Sequence, residues 1–413
     1  MENNIEIMSP VGSFESLMAA IQGGASSVYF GIGKLNMRSR SSVNFSLENL
    51  EEIVDICKQN NVKSYLTLNT VLYDDDILDA YLIIDKAMTV GVSAVIVSDM
   101  ALLKYSLEKG LSIHLSTQCN VTNIEAVKYY STYADVMVLA RELNIDQITH
   151  IVNEIKRQEI KGPSGDLVKI EIFVHGALCM AISGKCYLSL DNLNVSANRG
   201  ACLQICRRGY TVKDKESDIE LEIDNEYIMS PKDLKTIDFI DKIIDSGVSI
   251  LKIEGRGRSP EYVKTVTHCY KQAVDAYING VITEEKINEW NVLLKQVYNR
   301  DFWGGYMFGK KIGEWSERYG SQATTKKIYI GYITNYFSKL KVAEIKIEAT
   351  DLLINDKILI TGPTTGVHEQ IVEEIRVEDK TQTIAKQGIC CSVHISNLVR
   401  RSDKVYKIVS LNA

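Results

Sequence analysis

Short hydrophobic runs alternate with longer amphipathic stretches over roughly the first 250 residues of the chain. The runs are rich in Val, Ile and Tyr, as buried strands are, whereas the longer stretches repeat apolar residues three and four apart, as helices do. The strands are predicted at 5–9, 26–31, 63–69, 94–99, 112–118, 136–141, 169–175 and 249–255, and the first helices at 13–24, 46–60 and 77–91. Eight strands alternating with helices predict an α/β fold, a (β/α)8 TIM-type barrel, which typically takes about 250 residues.

An open, doubly wound sheet is the competing arrangement of the same elements. No G-x-G-x-x-G motif follows the first predicted strand, so the dinucleotide-binding form of that fold has no support. The barrel is therefore the favoured fold, and its catalytic domain is predicted over residues 1–300.

The alternation of strands and helices stops after the seventh predicted strand. Residues 176–232 are predicted to be a cysteine-rich insertion in the seventh βα loop, and a helix-like run follows at 233–247. This loop lies on the C-terminal face, where barrel enzymes carry their active sites. An aromatic connector is predicted at 301–325, and short strand-like runs over 326–413 predict a small all-β barrel domain.

Charge and composition narrow the choice of partners and compartment. The chain has 413 residues and a net charge of −6, which argues against a protein that coats nucleic acid through bulk positive charge. No signal peptide is visible, and no run approaches the roughly 18 apolar residues of a membrane span, so we expect a cytoplasmic protein without membrane contact. In a reducing compartment its nine cysteines are expected to be free thiols or metal ligands.

Four of these cysteines crowd into the insertion with the spacing C-x6-C-x15-C-x3-C. They are Cys179, Cys186, Cys202 and Cys206. The spacing lacks the paired C-x-x-C knuckles of most structural zinc sites, yet four thiolates suit either zinc or a [4Fe–4S] cluster. Four buried structural cysteines are the simpler alternative, which a polar loop disfavours.

Polar residues cluster at the C-terminal ends of several predicted strands. Because alternate residues of a strand face the same side, these residues converge on the barrel mouth if that side faces the lumen. The set comprises Asn69, Gln118, Arg141, His175, Glu254 and Arg256, with Lys252 on the same side of the last strand. Arginines there suit bidentate binding of a carboxylate or phosphate. Mutual pairing of these charges at the strand ends is the alternative for any single residue.

Peptidase and RNA-binding signatures are both weak in the sequence. There is no H-E-x-x-H or G-x-S-x-G motif, and a Cys179–His175 nucleophile pair is incompatible with Cys179 as a metal ligand. Basic residues cluster in the insertion, and aromatic residues interleave with Arg300 in the connector, as in proteins that hold looped RNA. The basic residues are Arg199, Arg207, Arg208 and Lys213. A clamp between the two domains is the alternative role of the connector aromatics, and it is the favoured one.

Several segments together resemble a known family. They are SPVGSFESLMAAIQGGASSVYFG, LNMRSRSSVNFS, HLSTQCNVTN, HGALCMAISGKCYLS, ANRGACLQICRRGY and LKIEGRGRSPEYVKTV. They resemble the collagenase-like peptidase family of unknown catalytic type, U-32, over nearly the whole chain. The resemblance implies a barrel-type catalytic domain and a C-terminal β-barrel similar to the second domain of elongation factors.

The family also implies a chemistry. Its better understood members are hydroxylases of tRNA and ribosomal RNA and oxygen-independent hydroxylases of ubiquinone synthesis, which carry a [4Fe–4S] cluster. The tRNA branch, which forms 5-hydroxyuridine, is linked to prephenate as the hydroxyl source. The resemblance implies Cys179, Cys186 and Cys202 as ligands, with Cys206 replacing the cysteine that many relatives have at Lys235. Catalytic roles are expected for Arg141, His175, Glu254 and Arg256, and substrate binding for Asn69, Gln118 and Arg199. The expected partners are tRNA or other structured RNA and a small dicarboxylate such as prephenate. Zinc is the alternative metal. A peptidase that acts on protein chains is the alternative function.

Overall fold

The computed structural model describes residues 5–40, 44–213, 220–221, 229–309, 313–318 and 320–411. Eight parallel strands form a closed barrel: β1 (Glu6–Pro10), β2 (Ser27–Gly31), β3 (Lys63–Leu68), β4 (Ala94–Val97), β5 (Ile113–Leu115), β6 (Val136–Val138), β7 (Lys169–Ala177) and β8 (Ile250–Ile253). The barrel closes because β8 pairs with β7 on one side and with β1 on the other. The prediction of a (β/α)8 barrel is confirmed, and all eight strands lie where the hydrophobic runs placed them.

Ten α-helices are found in the described residues. They are α1 (Phe14–Gln22), α2 (Leu50–Gln59), α3 (Asp74–Val90), α4 (Met100–Glu108), α5 (Ile124–Tyr130), α6 (Ile145–Arg157), α7 (Leu188–Leu193), α8 (Ile240–Asp245), α9 (Pro260–Ile278) and α10 (Glu284–Gln296). Of these, α7 lies in the insertion over the barrel mouth, and the others lie around the barrel. Alternate strand residues such as Ile7, Phe30 and Leu66 pack against these helices in one large core. The intervening residues face the lumen, where Met8 and Tyr29 belong to a separate apolar cluster. No helix in the described ranges is both long and apolar enough to cross a membrane.

The helix-like run 233–247 is only partly helical. Asp233–Lys235 is a short strand that pairs antiparallel with β7 and parallel with Phe302–Trp303. A 3-10 turn at Ile237–Phe239 precedes α8, so regular helix is confined to the second half of the run. Pairing with the free end of β7 and burial of Leu234 beside Trp303 override the local helical period.

The cysteine-rich insertion lies over the C-terminal end of the barrel, as predicted. The amide of Val71 donates to the Asn198 carbonyl (3.0 Å), and the amide of Arg40 donates to the Gly200 carbonyl (3.2 Å). Gly200 has φ 85°, and a Cβ there would lie 2.1 Å from Ser39 Oγ, so this close approach requires glycine. Residues 214–219 and 222–228 of the predicted insertion, and the side chain of Lys213, lie outside the described residues.

Most of the described aromatics in and beside the connector pack on the barrel and the insertion, whereas Phe308 is 55% exposed. Trp303 is 5% exposed and shares a small buried cluster with Leu178 and Tyr306, so it offers no face for stacking on a base. The Tyr298 ring packs 3.7 Å from the Arg258 guanidinium. Residues 310–312 and 319 of the connector lie outside the described part of the chain.

The C-terminal region is all-β, as predicted. Its strands are β9 (Thr325–Phe337), β10 (Val342–Ile347), β11 (Leu352–Leu353), β12 (Lys357–Gly362), β13 (Gly366–Ile371), β14 (Ile375–Val377), β15 (Lys380–Gln382), β16 (Ile384–Ala385), β17 (Cys390–His394) and β18 (Lys404–Ser410). All of these except β11 and β16, which pair with each other, form one eight-stranded antiparallel sheet around a core of its own. It contacts the barrel through Gln22, whose amide nitrogen donates to the Thr365 carbonyl (2.8 Å). The domain borders proposed at 300 and 325 stay predictions.

Candidate active site at the barrel mouth

A cavity of about 170 Å³ lies between the C-terminal mouth of the barrel and the insertion. All four cysteines of the insertion line it, together with five of the polar residues predicted to ring the mouth: Asn69, Gln118, Arg141, Glu254 and Arg256. Six cations contribute to its wall: Arg38, Arg141, Arg207, Lys252, Arg256 and Arg300. Glu254 is the one carboxylate among the described lining residues, so the cavity carries an excess of positive charge.

His175 does not reach this cavity, which corrects its predicted position. Strand alternation places it on the side of Phe173, but the pairing of β7 with β8 shifts register between these two residues. This β-bulge turns the imidazole outward, where it packs against Tyr262 and Tyr270 of α9. Burial, with the charges of Lys235 and Arg258, lowers the pKa of His175 to about 3. It is therefore a neutral side chain of the barrel wall.

Arg199 also lies outside the cavity. Its guanidinium donates to Asp76 Oδ2 (2.7 Å) and to the Val71 carbonyl (3.2 Å), and it stacks 3.8 Å from the Tyr73 ring. These contacts line a separate groove on the neighbouring side of the insertion. The structure therefore places Arg199 apart from the cavity, and its expected role in substrate binding stays a prediction.

Arg256 and Glu254 are held rigidly above the last barrel strand. Arg256 Nη1 donates to Asn36 Oδ1 (3.0 Å) and Thr67 Oγ1 (2.9 Å). A Cβ on Gly31 would lie 2.4 Å from Nη1, so a larger residue there would displace the guanidinium. Burial lowers the pKa of Arg256 to about 10, which leaves it charged at neutral pH.

Glu254 is paired with a cation that the sequence analysis did not select. Arg38 Nη2 donates to its carboxylate at 2.6 Å. Burial opposes ionisation of Glu254, but the charge of Arg38, followed by those of Arg258 and Arg141, outweighs burial and lowers its pKa to about 2. Arg38 lies in the loop after β2, and its only signal in the sequence is its place in the family-like segment LNMRSRSSVNFS.

A buried ionic network forms the floor of the cavity, inside the barrel. Lys252 Nζ donates to Glu171 Oε1 (2.6 Å), and Glu171 Oε2 lies 2.9 Å from His114 Nδ1. Burial alone would raise the pKa of Glu171, but Lys252 and His114 lower it to about 2. Strand alternation places Lys252 on the same side as Glu254 and Arg256, so the sequence predicts that its side chain points inward. The sequence does not predict that it pairs with Glu171.

Arg141 and the amide residues complete the barrel side of the wall. Arg141 Nη1 donates to the Ala177 carbonyl (2.9 Å) and its guanidinium stacks 3.8 Å from the Phe173 ring, while its buried Nε has no acceptor among the described residues. Asn69 Nδ2 donates to Gln118 Oε1 (3.2 Å), so the two amides form one hydrogen-bonded pair.

The four thiols form the wall that the insertion contributes. Cys179 is exposed and the other three are half-buried. Burial raises the pKa of the Cys206 thiol; Arg207 opposes this shift and the other three thiols add to it, so the four sulfurs lie near enough to influence one another.

The donor set fits a thiolate-ligated metal group in chemistry and location. In the described part of the chain, no three His, Cys, Asp or Glu side chains are grouped tightly enough to hold a metal ion. The thiols thus share a cavity without standing at ligand spacing. Lys235 does not line the cavity and instead pairs with Asp238 at 2.8 Å, which leaves Cys206 as the fourth thiol at this wall.

Comparison with known proteins identifies relatives over nearly the whole length of the chain. The model of peptidase family U32 matches residues 12–317. A protein named collagenase from Porphyromonas gingivalis is 58% identical over 405 residues, which cover 98% of each chain. The tRNA hydroxylation protein P1 of Bacillus subtilis is 30% identical over 419 residues, covering 96% of this chain and 94% of its own. The 23S rRNA 5-hydroxycytidine C2501 synthase of Escherichia coli is 36% identical over 277 residues, which are 67% of this chain and 40% of the synthase.

The names of these relatives divide between proteolysis and hydroxylation of RNA. The matched range contains barrel strands β2 to β8, the insertion and every residue of the cavity wall. This chain belongs to peptidase family U32.

Proposed function

We propose that this protein is a cytoplasmic iron–sulfur-dependent RNA hydroxylase that forms 5-hydroxyuridine in tRNA, with prephenate as the hydroxyl source. One observation carries the proposal: four thiols and six cations line a single cavity at the catalytic end of a barrel. Thiolates are the ligands of iron–sulfur clusters, and guanidinium groups bind carboxylates. The relatives named for hydroxylation of tRNA and rRNA support the choice of RNA as substrate.

The metal group would be held by the insertion. Cys179, Cys186, Cys202 and Cys206 would ligate a [4Fe–4S] cluster, and zinc is the alternative occupant of the same four thiolates. When bound, the cluster would supply electron-transfer chemistry beside the barrel mouth. The charge of Arg207, which acts on Cys206, would favour the deprotonated thiols that ligation needs.

The barrel side would bind the hydroxyl donor. Within the described part of the chain, Arg141 and Arg256 make their hydrogen bonds to neutral acceptors only, so their charges are available to the carboxylates of a dianion. Glu254 would orient Arg38 rather than donate a proton, because a carboxyl group with a pKa of about 2 stays ionised at neutral pH. The Asn69–Gln118 pair presents amide groups of the kind that read the edge of an extruded base.

Anaerobic purification followed by iron and sulfide analysis and optical spectroscopy tests the cofactor. We expect a coloured protein whose iron is lost in Cys179→Ala and retained in Cys390→Ala, a matched change of an exposed cysteine outside the cavity. Nucleoside mass spectrometry of tRNA from a deletion strain tests the substrate. A colourless protein that holds zinc, or tRNA with unchanged 5-hydroxyuridine, would contradict the corresponding half of the proposal.

A collagenase-like peptidase is the second candidate function. The 58% identity to a protein named collagenase favours it. A thiol peptidase needs a base beside its nucleophile, and no histidine is among the described residues that line the cavity. Hydrolysis of denatured collagen by the purified protein, with loss in Cys179→Ala and no change on chelation of iron, would support the peptidase instead.

A further inference from the structure

The cations of the cavity divide into two groups according to the residues that hold them. Arg207 and Arg300 are held by the insertion, since Arg207 Nη2 donates to the Leu178 carbonyl (2.5 Å) and Arg300 Nη2 donates to Gln204 Oε1 (3.3 Å). The principal charges acting on Lys252 come from Glu171, Arg256 and Arg141 instead. The first group faces the thiol wall, whereas the second group belongs to the barrel floor.

Lys252 is the deepest cation of the second group. It is 4% exposed, yet it lines the cavity. Its Nζ lies 4.6 Å from the centre of the Tyr29 ring and 5.5 Å from that of Phe173. An ammonium group has three N–H donors, and among the described residues Glu171 is its one hydrogen-bond acceptor. Two donors of a buried ammonium thus remain for a ligand in the cavity.

Glu171 fixes the position of this ammonium. Its carboxylate is completely buried and both of its oxygens are engaged, one by Lys252 and the other by His114. If Lys252 adopted another rotamer, Glu171 could stay bonded to it only by moving away from His114, which would then lose its partner. The ammonium is therefore pre-oriented before any ligand arrives.

The charges around the floor do not balance. Lys252, Arg256, Arg141 and Arg38 face the carboxylates of Glu171 and Glu254, four cations against two anions. Repulsion among buried cations in a medium of low dielectric constant is costly, and an anionic ligand relieves it. The excess of two positive charges matches a dianion rather than a monoanion.

We propose that Lys252 is a substrate-binding residue, which holds one carboxylate of a small dianion while Arg141 and Arg256 hold the other. This deepens the proposed function and rests on its assignment of a dicarboxylate to the cavity. Tyr29 and Phe173 flank the ammonium and restrict it to ligands that reach the barrel floor.

Calorimetric titration of the anaerobically purified protein tests this inference with succinate and butyrate, a dianion and a monoanion of equal chain length. We expect succinate to bind at least about tenfold more tightly, since one further charge-assisted contact is worth about that factor or more. Lys252→Met with Glu171→Gln removes one charge of each sign, so the net charge and the folding of the floor are preserved. This double variant is expected to bind succinate about 10- to 100-fold more weakly and butyrate nearly unchanged.

Two further variants separate the role of the ammonium from that of the fold. Lys252→Arg retains the charge and should restore most of the succinate affinity. Lys271→Met removes a lysine from an exposed ion pair on α9 and should bind as the wild type does. Succinate affinity of the double variant within about twofold of the wild type, or no preference for succinate in the wild type, would overturn the inference.

The outcome is independent of the test of the proposed function. Binding of succinate that depends on Lys252, in a protein whose deletion leaves tRNA unchanged, supports this inference and contradicts RNA hydroxylation. If deletion of the protein abolishes 5-hydroxyuridine but the substitution of Lys252 does not change succinate binding, this inference is overturned and the proposed function is not.

Discussion

The floor and the thiol wall of the cavity differ in burial and in how fully their polar groups are paired within the protein. On the floor, Lys252 and Glu171 are almost completely buried and joined at 2.6 Å, with His114 completing the network. On the thiol wall, Cys179 is exposed, and the described residues provide no ligand spacing for a metal. The charges of the floor are therefore fixed by pairs within the protein, whereas the described residues alone do not bring the thiols of the wall to ligand spacing.

The difference follows from what each side chain costs when it is left unpaired. A buried charge without a partner loses several kcal/mol of solvation, about 3–5 kcal/mol by mutational experience, so the floor must pair as the barrel folds. A half-exposed thiol keeps its contact with water, so it needs no partner within the protein. Substitutions on the floor should thus affect stability first, and substitutions on the thiol wall should affect cofactor binding first.

The largest expected effect is on the thiol wall. Cys206→Ala should remove most of the bound iron, because Cys206 is the fourth thiol of the cavity and Lys235 is engaged elsewhere. Iron analysis of the anaerobically purified variant measures this, and the unfolding free energy of the metal-free protein should change little. Full retention of iron would show that the fourth ligand lies elsewhere.

The next largest effect is on the floor. Glu171→Ala leaves Lys252 and His114 without their carboxylate and should lower the free energy of unfolding by about 3–5 kcal/mol. Denaturant titration measures the loss. Glu154→Ala, which breaks an exposed pair with Arg157, is the control and should cost far less. Equal losses in the two variants would remove the distinction between floor and surface.

A pH titration distinguishes the barrel wall from the cavity. His175 has a folded-state pKa of about 3, below the ordinary value near 6.5. A group with a depressed folded pKa contributes stability that is present above its unfolded pKa and is lost as the pH falls towards the folded value. The wild type should therefore lose up to about 1.4 kcal/mol per pH unit below pH ~6.5, and His175→Asn should flatten that slope. An unchanged slope between about pH 6.5 and 5 would place the pH sensitivity elsewhere.

The smallest effect is expected at Arg199, which belongs to neither side of the cavity. Arg199→Ala breaks a partly exposed pair with Asp76 and should cost no more than about 1 kcal/mol. Its affinity for succinate should stay at the wild-type value, because the guanidinium points into another groove. A large loss of affinity would mean that the groove and the cavity act as one site.

Local patterns predicted most of the fold and part of the site. All eight barrel strands followed from hydrophobic runs, and the position of the insertion followed from the break in their alternation. Alternation within strands also directed Arg141, Glu254 and Arg256 to the cavity. The prediction from strand alternation was wrong for His175, because β7 has a one-residue bulge. The bulge arises from the pairing of β7 with β8 and is not visible in the sequence of β7.

The sequence by itself determined the barrel, the insertion with its four thiols and the inward direction of the strand-end charges, since these depend on periodicity and spacing along one segment. Only the tertiary structure decided which charges meet. Glu171 and Lys252, for example, lie 81 residues apart and pair because β7 and β8 close the barrel. Such partners depend on which strands become neighbours, and that arrangement is a property of the whole closed sheet.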